Sequence, residues 1–185
     1  MLIKKTVRIG VLICTAIVVF ALLMFGQGCA KKAPQAKLEK APDFTLKDLS
    51  GKPVTLSEYT KAGNVVVVDF WASWCTNCQE AAPELVKLQA GYKGKPVKMI
   101  GVAIDQDIAA VKAFAKQKHL NYTICHDPNV EKLGKLYSVV GIPVTYIIDR
   151  DGYIRYSHSG LPADAEGQKR EINKLKQEVD SLLKS

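Results

Sequence analysis

The sequence predicts an α/β domain in which a mixed β-sheet is covered by helices on both faces. Three observations predict it. Val65–Val68 is an unbroken apolar run with no polar alternation, which only a buried strand accommodates, and Lys98–Asp105 (KMIGVAID) reads as a second. Segments of helical period separate the strands. Near the C-terminus, Val144–Ile148 and Tyr153–His158 flank Asp149-Arg150-Asp151-Gly152, a hairpin signal that adds antiparallel strands.

Phe44–Leu46 and Pro53–Thr55 surround the turn-rich Asp48–Lys52 and read as a small β-hairpin. Leu56–Tyr59 adds a short helical turn, and the Val65–Phe70 strand follows. A helix then runs from about Cys75 to Ala90, with Leu85 and Leu88 at helical spacing and Pro83 inside it as a kinking residue. Ile108, Val111, Phe114 and Ala115 mark a helix over 108–118, and Tyr122–Cys125 a short strand. Val130, Leu133, Leu136 and Tyr137 share one face of a short helix. Ala165–Leu183 closes the chain as a long amphipathic helix carrying Ile172, Leu175, Val179, Leu182 and Leu183.

The 185 residues suggest one domain, 41–185, preceded by a signal or anchor segment over 1–28 and a flexible tether over 29–40. Lys4, Lys5 and Arg8 form a basic head before an uncharged apolar run, Ile9–Phe25. Gly26-Gln27-Gly28-Cys29 follows and is similar to a bacterial lipoprotein signal, in which Cys29 is the lipidated residue; Gly26 stands where that pattern usually has Leu. Lipidation, an uncleaved anchor and simple secretion are the three outcomes, and each places the domain outside the cytoplasm. Of the net charge of +8, leader and tether carry three each, which leaves two for the domain. The basic balance therefore belongs to a membrane-proximal leader and does not indicate nucleic-acid binding.

Five cysteines are present, and Cys75, Cys78 and Cys125 fall in the domain. A single close pair is the pattern of a reactive dithiol, since a stapled exported domain shows several separated pairs. Cys75 opens a helix, where unpaired N–H groups favour a thiolate; Cys78, three residues on, can close a disulfide with it. The pair could instead be half of a zinc site, but the two further ligands are missing, and Cys125 and His126 point to opposite faces of a strand. No metal site is expected.

Asp69 shares a strand face with Val67, so it is either an acid reaching solvent at the strand end or a desolvated acid able to exchange protons near neutrality. The second role suits Cys78, which must lose a proton to resolve a mixed disulfide. Trp74 is expected to be partly exposed and to shape the docking surface. Pro143 caps a strand or follows a cis bond, which would let Ile142 pair with an extended substrate. Cys125 reads as a small buried hydrophobe, and the spacing of His119, His126 and His158 demands no function.

VVVVDFWASWCTNC, Pro83 and Gly141-Ile142-Pro143 stand in the order found in thioredoxins. The Phe44 hairpin, the helical insertion over about Ile108–Leu120 and Val144–Gly152 resemble the TlpA/ResA-type subgroup of exported, membrane-tethered thioredoxin-like proteins. The resemblance covers Ala41 to the C-terminus. It implies a thioredoxin fold, Cys75 as attacking thiol, Cys78 as resolving thiol, Asp69 as buried acid and Pro143 as cis-proline. A monomer that needs no cofactor beyond the Cys75–Cys78 disulfide is expected, and the resemblance implies reductive work on exported protein thiols such as cytochrome c apoprotein. A membrane thiol carrier would donate the electrons. In the family a proline usually precedes the second cysteine, whereas this chain has Asn77 after Thr76, which leaves the direction of electron flow open. Some members also use a glutamate near the site, and none is assigned here. Two other readings are a peroxide reductase, whose Pro-x-x-x-Thr-x-x-Cys loop is not matched before Cys75, and a metal-handling dithiol chaperone.

Overall fold

The computed structural model describes residues 39–128, 130–162 and 164–184. The expected leader, Cys14, Cys29 and the first part of the expected tether lie outside them. In chain order the elements begin with β1 (Glu39–Lys40), β2 (Thr45–Lys47), β3 (Pro53–Thr55), α1 (Leu56–Lys61), β4 (Val65–Trp71), α2 (Thr76–Gly91) and β5 (Val97–Ala103). They continue with α3 (Ile108–Gln117), β6 (Thr123–His126), α4 (Val130–Leu136), β7 (Val144–Ile148), β8 (Tyr153–Ser159) and α5 (Ala165–Lys184).

β4 is buried along its whole length because it lies between β5, parallel to it, and β7, antiparallel to it. The main sheet has the order β1-β8-β7-β4-β5-β6, and β2 pairs with β3 in a separate hairpin. Strand periodicity divides the valine run between two cores. Val66, Val68 and Phe70 pack under the hairpin, α1 and α4, against Phe44, Val54, Leu133 and Tyr137. Val65 and Val67 pack under α2 and α5, against Leu85, Leu88, Ile172 and Val179. Trp71 meets α3 through Phe114, with ring centroids 5.0 Å apart.

Of the boundaries that differ from expectation, two have a clear physical reason. Glu39 and Lys40, placed in the tether, form β1 and pair with Ile154 and Tyr153 of β8. Both side chains are exposed, so the pairing is carried by backbone and leaves no hydrophobic trace; Lys40 Nζ also donates to the Asp151 carbonyl (2.5 Å) and sits over the Tyr153 ring. The strand expected to reach Asp105 ends at Ala103, since Asp105 turns back toward the loop after β4.

Gly101 of β5 is the register partner of Asp69, on the face that receives the Trp71 indole. A Cβ there would stand 2.7 Å from Trp71 Nε1 and 3.0 Å from both Ile124 and Tyr122. Gly101→Ala is expected to cost about 1–3 kcal/mol through overpacking. Gly91→Ala, at the end of α2 where a methyl meets nothing within 4 Å, is expected to be neutral or stabilising by up to about 1 kcal/mol. Urea denaturation of the two variants checks the contrast.

Candidate active site

The loop between β4 and α2 is held from below. Asp105 is buried and accepts from the Ser73 backbone N–H at 3.1 Å and from the Ser73 hydroxyl, while Gln79 Nε2 donates to the Ser73 carbonyl at 2.6 Å. These contacts fix the turn that delivers Cys75 to the N-cap position of α2, so the helix starts at Thr76, one residue later than expected. Cys75 Sγ accepts from the Cys78 N–H at 3.2 Å, so the sulfur occupies the place an oxygen cap normally takes. An anion there is favoured by the helix N-terminus. Cys75 and Cys78 form a disulfide with Cα atoms 5.2 Å apart. Cys125 is a buried free thiol, pushed up to about 12 by burial first and by the charge of Asp48 second. It has the hydrophobe's environment that its strand position suggested.

Asp69 is 2% exposed, on the β4 face turned toward α2 and α5. Burial raises its carboxyl to about 7 against the opposing hydrogen bond from Thr145 Oγ1 (2.8 Å). Such a group changes protonation near neutrality. Asp69, Cys78, Pro143, Thr145, His158 and Glu171 all line one small cavity of about 20 Å³, room for about one water molecule. Cys78 and Asp69 thus border the same enclosed space.

The Ile142–Pro143 bond is cis, and Cys75 Sγ lies 3.9 Å from the Ile142 carbonyl oxygen. Pro143 is buried and its carbonyl accepts from the Gly160 N–H at 2.8 Å, which ties the loop to the end of β8. Trp74 is 66% exposed, directly before the nucleophile position. The structure therefore brings Cys75, Cys78, Asp69, Ile142 and Pro143 together, with Trp74 at the rim. Cys29 lies outside the described residues.

Sequence reasoning missed Asp105, His158, Glu171 and Glu178. His158 is buried with Nδ1 2.6 Å from Glu171 Oε1 and Nε2 2.6 Å from Glu178 Oε2. A usable signal was present: Glu171 and Glu178 are seven residues apart and border the apolar stripe of α5, so both face inward at its edge. Glu80, close to the cysteines in sequence, is exposed and accepts from Gln168 instead.

Comparison with known proteins agrees with this geometry. The AhpC/TSA family model matches residues 38–157. Thiol-disulfide oxidoreductase ResA of Bacillus cereus is 34% identical over 129 residues, which cover 69% of this chain and 73% of the relative. Thiol:disulfide interchange protein DsbE of Allochromatium vinosum is 31% identical over 175 residues, covering 93% and 92%. Among solved structures, a Chlorobium tepidum protein assigned as a thiol:disulfide interchange protein DsbE superposes with a TM-score of 0.70 at 34% identity, covering 80% of this chain and 98% of that one. With its reactive cysteine pair at the mouth of a thioredoxin-fold sheet, this chain belongs to the AhpC/TSA family and is a thiol-disulfide oxidoreductase.

Proposed function

We propose that this oxidoreductase works outside the cytoplasm, tethered to a membrane by its N-terminal segment, and reduces disulfides of exported proteins such as cytochrome c apoprotein. The observation that carries the mechanistic part is the shared cavity of Cys78 and Asp69 beneath a disulfide capped by the N-terminus of α2. In the reduced protein, Cys75 thiolate attacks a substrate disulfide and expels one substrate thiolate. Asp69 then takes the Cys78 proton, the Cys78 thiolate attacks Cys75 Sγ, and the second substrate sulfur leaves as thiolate. The substrate gains two electrons and the Cys75–Cys78 pair loses them, so the dithiol carries the redox change without another cofactor. A membrane thiol carrier restores the dithiol.

Substrate docking is assigned to Trp74, Ile142 and Pro143. Trp74, directly before Cys75, and the fully exposed Val140, two residues before Ile142 in the chain, offer apolar surface. The Ile142 N–H has no partner among the described residues, as strand addition by an extended peptide requires. The relatives named ResA and DsbE support thiol–disulfide chemistry on protein partners.

Cys75→Ser is expected to abolish disulfide exchange, and Cys78→Ser to accumulate a mixed disulfide visible by mass spectrometry; a Cys78→Ser protein that traps nothing argues against the scheme. The direction of flow is read from the reduction potential, expected near the thioredoxin value of about −270 mV and reversed if it lies near about −120 mV. Asp69→Asn is expected to slow resolution of the mixed disulfide about 100-fold or more at pH 7. The same variant separates stability from catalysis. Because the folded carboxyl titrates at about 7 and the unfolded one at 3.8, the native state binds the extra proton between those values. Wild-type stability falls as pH rises through that window, so Asp69→Asn is expected to gain up to about 4 kcal/mol at pH 8 and nothing below pH 4. Urea denaturation of the oxidised proteins at pH 3.5 and 8 measures it.

A further inference from the structure

Asp69, Thr145 and His158 form one row across three strands. Asp69 of β4 is the register partner of Thr145 of β7, and Thr145 is the register partner of His158 of β8. Laterally paired residues point to the same face, so all three side chains stand under α5. Two strand spacings put His158 about 10 Å from Asp69. α5 crosses this row and clamps the imidazole from both sides with Glu171 and Glu178. His158, Glu171 and Glu178 have side chains 6%, 29% and 15% exposed, so the cluster runs from the interior to the surface.

The proton inventory of the cluster follows from its two short contacts. A neutral imidazole has one N–H, yet both ring nitrogens are 2.6 Å from a carboxylate oxygen. Two hydrogen bonds need two protons among three groups, which leaves a net charge of −1 wherever each proton rests. The hydrogen bond from His158 holds Glu171 below the ordinary carboxylate range, with Lys174, 3.7 Å away, acting in the same direction. Among the described residues, the charged groups paired with the ring are Glu171 and Glu178, with Lys174 beside Glu171; Asp69 lies two strands away and is faced across the cavity by Tyr122. Glu171 also lines the cavity that Asp69 shares with Cys78.

We propose that His158, Glu171 and Glu178 act as a net-negative cluster whose charge, added to the effect of burial, helps hold the proton on Asp69. The inference rests on the reading of Asp69 as acceptor of the Cys78 proton. When Cys78 gives its proton to Asp69 and attacks Cys75, the acid is left protonated inside the protein. A negative charge beside the cavity stabilises that protonated acid. These three side chains are positioning residues: they touch neither sulfur and act through Asp69.

The test is the titration midpoint of the Asp69 carboxyl, followed by ¹³C NMR in the oxidised full chain, a readout that needs no substrate. Glu171→Gln removes one negative charge and is expected to lower the midpoint by about half to one pH unit. The pH profile of mixed-disulfide resolution should move by the same amount, and Glu171→Asp should restore both. A folded Glu171→Gln protein with an unchanged midpoint overturns the proposal. Should that variant fail to fold, Glu178→Gln is read in the same way; if neither folds, the cluster is a structural tie and the proposal falls. A wild-type protein without exchange activity would instead overturn the functional reading while leaving the NMR result standing.

Discussion

Burying one carboxyl group is the constraint on which the rest of the site depends. Asp69 sits in β4, a strand buried along its whole length, between Gly101 and Thr145 in register. Its neighbours are chosen around it: a glycine that leaves room for the Trp71 indole, and a threonine that donates a hydrogen bond to the acid. Desolvation disfavours the charged form, and the acid gains its proton exchange near neutrality at the cost of stability when ionised. Exposed to water, the same residue would be a permanent anion and a poor partner for a thiol.

Around that acid the site is assembled from distant parts of the chain, each tied to the sheet. The cysteine loop hangs on Asp105, at the far end of β5. The proline loop is tied by Gly160, just past β8. α5 contributes nothing to the sulfur pair directly, yet it roofs the cavity with Glu171 and Ile172. Reactive atoms therefore sit on loops, while the groups that aim and buffer them sit on strands and a helix whose packing cannot easily shift.

Much of this was legible in the residues. The valine run, the helical spacing after Cys78, the Asp149–Gly152 turn and the amphipathic stripe of α5 each correspond to an observed element, because each records burial on one local period. Asp69 could be placed on the inward face by counting in twos from Val67. β1 could not be found this way, since Glu39 and Lys40 contribute only backbone pairing and exposed side chains. His158 looked unremarkable for a similar reason: its role depends on what packs over β8, and nothing within β8 announces it.

The sequence by itself determined the class of fold, the reactive pair, the buried acid and the proline before β7, because each is written in a short window of local pattern. Only the tertiary structure decided which groups share space with that acid. Asp105 reaching Ser73 and α5 closing its two carboxylates on His158 are meetings of residues that lie far apart in the chain or whose spacing carries no signal. Local period reports whether a side chain faces inward; it does not report what will be waiting there, which is settled by the crossing of strands and helices.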